Sequence, residues 1–457
     1  MSKKLLFKDE VLDDLAKDTN VAQFISYGPD LKQRYSRIYG MKPNIQFSDI
    51  RDAIEALFKT SAYKKLNIRT YYPDSHQSQP FVYGLTEMKD VLYNLITLSE
   101  KGLFIILHET IDINDGGVSG VLHSGVMEFS PGVTVRFVEQ STDPISVFTK
   151  EFGCKLIKTV YGFSPSLNYA DDMRIEFSIH PTRVGYHKLR TIIWQSQKID
   201  KCDIEPYHIW PSAFSKLIGD KVYGLLIADL LGFRVPHTNV FPRNSIVGNF
   251  SFGKSTGSSD VWMRTCPAES IPGKFITIRG WHNPFTLMDD DDPSGKNIVS
   301  CLSQREVVAK YSGICLSTNE NVVIEGVYGF GDNFMLGADR PAQLPDGIIQ
   351  NIKLIYDRIS KILGPVRFEW VHDDKYLWIV QLHLGKVVSS GRTIVPGDHC
   401  SQDIIFETSQ SLEKLRELIS VVGNDTRIIV RGNIGMGSHI ADVLRKANIP
   451  SILETIV

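Results

Sequence analysis

The chain has 457 residues, 42% hydrophobic and 22% charged, with a formal net charge of −2. It is long enough for two or three domains, each with its own core, and it lacks the global basic field that would draw nucleic acid or anionic membrane. Cys154, Cys202, Cys266, Cys301, Cys315 and Cys400 are scattered, without a C-x-x-C pair or metal-ligand spacing, which reads as reduced cytosolic thiols packed as small hydrophobes.

At the N-terminus, MSKKLLFKDEVLDDLAKD places two lysines before an apolar patch that Lys8, Asp9 and Glu10 cut short. That patch is too brief for a signal peptide, and no later run approaches the roughly 18 apolar residues of a membrane span. The expectation is a soluble cytoplasmic protein. Apolar residues at three- and four-residue spacing predict helices over 48–60, 86–100, 220–232, 346–363 and 410–422. Strands are predicted at 103–107, 191–194, 376–380 and 427–431, so the class is mixed α and β. Segments 244–260 and 286–296 read as surface loops, the second holding the carboxylate run Asp289 to Asp292 as a solvated face. Asp112, Asn114 and Asp115 have the spacing of a calcium loop, but His123 stands where its bidentate Glu belongs.

An internal repeat organises the chain. MRIEF (173–177) with TIIWQ (191–195) matches VRFEW (366–370) with LWIVQ (377–381). Arg69 and Arg264 stand 195 residues apart, Ser119 and Ser312 193, Glu176 and Glu369 193, and Gln195 and Gln381 186. The spacing predicts two related domains, 1–205 and 206–385, followed by a small third, 386–457.

The second copy carries the chemistry. Gly219-Asp220-Lys221 opens a helix, and a glycine-marked helix start beside a lysine suits phosphate oxygens, although many surface helices begin this way. Arg264 ends a strand and suits bidentate phosphate binding; the competing reading is a salt-bridged strand arginine. In EGVYGFGD, Glu325 leads into a loop whose three glycines let backbone approach a ligand. Glu369 and Gln381 belong on neighbouring strands, with Phe368 and Trp370 facing the other way. A carboxylate and an amide oxygen on one sheet face form a hard-oxygen pair fit for Mg2+ bridging nucleotide phosphates.

In that order, IGDK with FRVP, MRT, YSGI, EGVYGFGD, and FEW with VQ resemble the ATP-binding domain of the pyruvate phosphate dikinase, phosphoenolpyruvate synthase and rifampicin phosphotransferase family. The resemblance implies an ATP-grasp-like fold, with Lys221 and Arg264 on ATP phosphates, Glu325 near the nucleotide, and Glu369 and Gln381 on Mg2+. The family's Arg two residues after the Gln is His383 here.

Beyond strand RIIVR, the segment GNIGMGSHIA resembles the family's swivelling phosphohistidine domain, with Arg445 six residues after His439 and Ile449-Pro450 ten and eleven after it. That resemblance makes His439 the phosphoryl carrier; the segment LHLGKVVSSGR, with Gly385, Ser389, Ser390 and Gly391, reads as the hinge such a carrier needs, and the alternative is a His that merely caps its helix. A neutral imidazole is a competent nucleophile toward phosphorus, and a helix N-terminus favours the resulting charge.

The first copy keeps Arg69, Ser119-Gly120, Glu176 and Gln195 but shows no counterpart of the Gly-Asp-Lys helix, and reads as degenerate. The fold expected is α+β: an ATP-grasp-like nucleotide domain, a degenerate N-terminal copy, and a swivelling β/α phosphohistidine-like domain. The function expected is an ATP-dependent phosphotransferase with ATP and Mg2+ as cofactors and a small-molecule acceptor, without the family's pyruvate-binding barrel. The alternatives are a nucleotide-binding sensor or pseudoenzyme, and an ATP-grasp ligase working through an acyl phosphate.

Overall fold

Two units, Met1–Tyr207 and His208–Val457, make up the computed structural model, which describes residues 8–73, 79–110, 115–131, 145–243, 247–269, 275–397, 400–423 and 425–454. Asp112 and Asn114 of the calcium-like loop lie outside the described residues.

The first unit runs α1 (Lys8–Leu15), β1 (Phe24–Tyr27), β2 (Gln33–Arg37), α2 (Ile50–Thr60), β3 (Leu66–Tyr71), β4 (Phe81–Leu85), α3 (Met88–Ser99), β5 (Phe104–Glu109), β6 (Val118–His123), β7 (Val126–Pro131), β8 (Val147–Thr149), α4 (Lys150–Tyr161), β9 (Met173–Ile179) and β10 (Thr191–Lys198). Its strands form two sheets in the orders β2-β1-β5-β3-β4 and β10-β9-β6-β7-β8, antiparallel throughout. α2 is capped by Asp49, whose side chain accepts from Arg51 N, and buries Ala53, Ile54 and Leu57 in one core with Leu66, Ile68, Leu95, Ile105 and Leu107. Each fully buried Leu or Ile there contributes ~1.5–3 kcal/mol relative to exposure.

The second unit runs α5 (Ala213–Ile218), α6 (Asp220–Leu230), β11 (Thr238–Pro242), β12 (Phe250–Phe252), β13 (Val261–Pro267), β14 (Thr277–Arg279), α7 (Pro284–Asp291), β15 (Ile298–Arg305), β16 (Tyr311–Ser317), β17 (Val322–Tyr328), α8 (Asp332–Leu336), α9 (Asp346–Leu363), β18 (Val366–His372) and β19 (Leu377–Leu384). It ends with β20 (Thr393–Val395), β21 (Gln402–Glu407), α10 (Leu412–Val421), β22 (Thr426–Arg431), α11 (His439–Ala447) and β23 (Ser451–Glu454). Its first two sheets have the orders β12-β11-β15-β13-β14 and β17-β16-β18-β19. Renumbered from the start of each sheet, these repeat the orders of the first unit, which adds only the edge strand β8. The third sheet, β20-β23-β22-β21, pairs β21, β22 and β23 in parallel, with α10 and α11 as crossovers. The class is therefore mixed α+β with several antiparallel sheets.

The repeat extends to register. Glu176 pairs with Gln195 and Phe177 with Ile193, so the ladder skips Trp194. Glu369 pairs with Gln381 and Trp370 with Ile379, so it skips Val380. Each skip is a one-residue bulge. The repeated Ser-Gly also has a packing cause. Gly313 lies opposite Gly326, and a Cβ on Gly326 would come within 2.9 Å of the Trp370 ring. In the first unit a Cβ on Gly120 would meet the Phe177 ring.

Three expectations change. α1 packs on β10 as α6 packs on β19, so the first unit does have a helix in this place. Within 286–296, expected as a loop, residues 286–291 belong to α7, started by Asn283, which accepts from Phe285 N and Thr286 N, with Pro284 at the first helical position. Its carboxylates are not simply solvated. Asp291 accepts from Thr265 Oγ1 at 2.6 Å and Ile276 N at 3.0 Å, and buried Asp292 accepts from Asn297 N and Ile298 N at 2.7 and 2.9 Å. Those bonds hold the Asp292 carboxyl well below its ordinary range against the opposing push of burial.

Candidate functional site

Cross-strand pairing puts four residues in one row across the second sheet of the C-terminal unit: Glu325 on β17, Ile314 on β16, Glu369 on β18 and Gln381 on β19. Directly paired residues share a face, so these side chains stand together, and Phe368 and Trp370 are buried on the other side. One step along, Leu316, Arg367 and His383 form a second row on the same face.

α6 brings Asp220 and Lys221 to this face. It approaches closely because residue 224 is glycine; a Cβ there would lie 2.0 Å from the Leu382 carbonyl oxygen. Lys221 Nζ donates to Thr265 O at 3.3 Å. Burial, and secondarily Arg264, lower the Lys221 pKa, while Cys266, Glu369 and Asp220 oppose the shift. Arg264 NH1 donates to the carbonyl of Val380, the bulge residue, at 3.1 Å, and its Nε is buried without a partner. The cleft beside it is lined by Trp262, Arg264 and Gln304 from one sheet and Ser312, Glu369 and Trp370 from the other.

His383 has a definite role in this geometry. Its Nδ1 lies 3.0 Å from Asp220 Oδ2, its Nε2 lies 2.6 Å from Gln381 Nε2, and Trp210 Nε1 donates to Asp220. In the tautomer that carries its proton on Nδ1, toward the Asp220 carboxylate, Nε2 is the acceptor for the Gln381 amide N–H, and the amide oxygen is turned away from the imidazole. Glu369 is half-buried, and its carboxylate makes no hydrogen bond or ion pair among the described residues.

One expected residue and the expected hinge sit differently. Glu325 does not face open space for a nucleotide: its carboxylate accepts from Met436 N and Gly437 N, both at 3.0 Å. The glycines of that C-terminal turn permit the approach, since a Cβ on Gly435 would lie 2.5 Å from Glu325 Oε2 and one on Gly437 2.2 Å from Ile314 Cγ2. The segment expected as a hinge is tied down, with Val387 N donating to Ser317 O and Arg445 Nε donating to Ser389 Oγ, both at 2.8 Å.

His439 is the first residue of α11, behind Ser438, which is the actual cap and accepts from Ala441 N. Its Nδ1 is buried without a partner. Burial lowers its pKa, opposed first by Glu369, whose charge reaches it. The structure thus brings Lys221, Arg264, Glu369, Gln381 and His439 into one neighbourhood, with Glu325 engaged at its edge. Sequence reasoning missed Arg367, which makes a bidentate ion pair with Asp442 at 2.6 and 2.5 Å. Its signal was visible as the Arg two residues before the Glu in both MRIEF and VRFEW.

The first unit holds a further chain of polar groups. Trp194 Nε1 donates to Ser178 Oγ, Ser178 Oγ lies 2.8 Å from His180 Nε2, and His180 Nδ1 lies 2.6 Å from Asp115. Ser178 and His180 are both 0% exposed, so this chain of four residues braces the sheet and presents no nucleophile. Among the described residues no group of three or more His, Cys, Asp or Glu is arranged to hold a metal ion, and no helix is long and apolar enough to cross a membrane. Glu369 and Gln381 nonetheless fit Mg2+ held mainly by nucleotide phosphates: a free carboxylate and an amide oxygen face one side, with Lys221 and Arg264 nearby for the remaining negative charge.

No family model matches the chain, and no curated protein does. Partial likenesses to solved structures do occur. The D-alanine-D-alanine ligase of Helicobacter pylori is 11% identical over 38% of this chain and 53% of that one, with a TM-score of 0.25. Macrocyclase MdnB of Microcystis aeruginosa MRC is 12% identical over 36% and 52%, with a TM-score of 0.22. A peptide-associated ATP-grasp ligase of Chryseobacterium gregarium, solved with ADP and leader and core peptide, is 13% identical over 35% and 49%, with a TM-score of 0.21. The chain thus matches about half the length of each. None of these is a phosphoenolpyruvate synthase or pyruvate phosphate dikinase, and no family model matches, so the expected membership in that family is corrected: the chain is not assigned to it. The short motifs that suggested it have local causes: Gly313 and Gly326 make room around Trp370, and Gly435 and Gly437 make room around Glu325 and Ile314.

Proposed function

We propose that the C-terminal unit is an ATP-dependent enzyme of the ATP-grasp ligase type, binding Mg2+-ATP in the cleft beside Glu369. The observation that carries this reading is the free Glu369 carboxylate paired with Gln381, with Lys221 and Arg264 alongside. In this role Glu369 and Gln381 hold the cation, and Lys221 and Arg264 take phosphate oxygens. The cation, when bound, draws charge from the β- and γ-phosphates. A substrate carboxylate then attacks the γ-phosphorus and releases ADP, and an amine or other nucleophile attacks the acyl phosphate and releases phosphate. Arg264 NH1 is already turned to the Val380 carbonyl, which sets the distance between the two cleft walls.

The test is ATP turnover with a panel of carboxylates in the presence of hydroxylamine. Formation of a hydroxamate with one carboxylate, dependent on Glu369, supports the ligase; ADP release without any hydroxamate counts against it.

A second reading, a phosphotransferase relay through His439, is favoured by the unpartnered Nδ1 and the neutral form that burial prefers. Labelled ATP separates the two. An acid-labile, base-stable phosphate on the protein that is lost in His439→Ala supports the relay, and its absence beside hydroxamate formation leaves the ligase. Tight ATP binding with neither product is the signature of a sensor.

A further inference from the structure

The two units supply an internal comparison at the carboxylate. In each, an arginine stands two residues before the glutamate on the same strand face: Arg174 before Glu176, Arg367 before Glu369. In the first unit Arg174 folds onto Glu176 as an ion pair. In the second, Arg367 turns away and is gripped by both oxygens of Asp442, which is 2% exposed and is also held by Arg445 at 2.9 Å. Asp442 lies in α11, after the sheets that the two units share.

We propose that Asp442 is a positioning residue that holds Arg367 off Glu369 and so keeps the carboxylate free for a divalent cation. This inference rests on the reading of Glu369 as a cation ligand. An arginine paired to a carboxylate cancels the charge that a cation would use and occupies its lone pairs with a planar fork of donors. Both arginines have the same reach along the strand, so what differs is the competitor. Asp442 offers Arg367 a second carboxylate in bidentate geometry, within the shelter of a buried helix start. The C-terminal segment is then part of the cleft's machinery even where it touches no nucleotide. In the first unit the Arg174–Glu176 pair leaves no uncompensated carboxylate at the equivalent place.

The experiment measures Mn2+ binding to the full-length protein by electron paramagnetic resonance, in the presence of a non-hydrolysable ATP analogue. Glu369→Gln tests the underlying reading: wild-type binding that this change leaves intact overturns the assignment of Glu369, and the inference with it. With Glu369 confirmed, Asp442→Asn releases Arg367 and weakens Mn2+ binding about 10–100-fold, the usual effect of losing an outer partner at a metal site. Arg367→Gln breaks the same ion pair but leaves no arginine to fold onto Glu369, so it keeps wild-type affinity. The double variant Asp442→Asn with Arg367→Gln recovers the affinity that Asp442→Asn lost. A contact that only braces the helix predicts otherwise, with both single variants weakening binding alike and the double variant staying weak. That result, or undiminished binding in Asp442→Asn, overturns the proposal while leaving Glu369 in place.

Discussion

Trp370 lies over Gly326 so closely that a Cβ at 326 would come within 2.9 Å of the indole, and across the ladder a Cβ on Gly313 would lie 2.0 Å from the Glu325 carbonyl oxygen. Neither glycine needs a left-handed backbone; the requirement is space. Gly313→Ala should therefore force β16 and β17 apart and destabilise the C-terminal unit by about 1–3 kcal/mol, the usual cost of overpacking. Urea unfolding reads this directly, and an unchanged midpoint would show that the strands have slack.

Glu369→Gln preserves the shape of the side chain and removes its charge. ATP turnover in Mg2+ should fall on the order of 100-fold or more, as expected when a preorganised charge is lost from a phosphoryl-transfer site. Because the carboxylate has no hydrogen bond or ion pair to lose among the described residues, thermal stability should stay at the wild-type level. A variant that loses stability and activity together would make Glu369 structural.

Glu325 accepts two backbone N–H groups from the turn at 436–437. Hydrogen bonds to a charged acceptor contribute about 1.5–3 kcal/mol each. Glu325→Ala should loosen the turn and speed proteolytic cleavage within 385–392, while the sheets β12-β11-β15-β13-β14 and β17-β16-β18-β19 remain resistant. Cleavage at the wild-type rate would contradict this account of how the third sheet is held.

In the first unit, burial pushes His108 down to about 4 from 6.5 and pushes its neighbour Glu109 up to about 7 from 4.5. For His108 the unfolded chain takes the proton first, so its stabilisation is present above pH 6.5 and is lost as pH falls toward 4, on the order of 3 kcal/mol in all. For Glu109 the folded chain keeps the proton longer, so its contribution is present below pH 4.5 and is lost as pH rises through 7. The two slopes oppose each other. Glu109→Gln should leave the His108 slope alone, and the unfolding midpoint should then rise from pH 5 to pH 7.5 more steeply than in the wild type. His108→Gln should make it fall. Wild-type pH profiles in both variants would refute the assignment.

Helices α2, α3, α6, α9 and α10 were legible because each has a clear apolar period; α1, α4, α5 and α8 were not read from the sequence. α9 was expected over 346–363 and is found there, and α2 lies inside its expected range. α7 was missed because its signal is a cap, Asn283 before Pro284, in front of residues that look like a charged loop. The Glu369–Gln381 pairing was legible because two copies of the same strand pair made it visible twice. The partners of Glu325 and Arg367 were not, because residues 436, 437 and 442 come to them across more than 70 positions of chain, and no local pattern records such a contact. The same motifs misled at the level of family: a glycine required by a tryptophan and a glycine required by a ligand look alike in sequence.

The bulge at Val380 acts as a change of phase. Before it, Ile379 pairs with Trp370 on the buried side; after it, Gln381 pairs with Glu369 on the other side. In an unbroken strand, 379 and 381 would share one face. A single supernumerary residue thus shifts which positions face the core, from Leu377 and Ile379 before it to Leu382 after it. The carbonyl that falls out of step is the one Arg264 holds. Deleting Val380 would make the ladder regular with Ile379 still on the core side and Gln381 still on the cleft side, so its effect would fall on the acceptor that ties one sheet to the other.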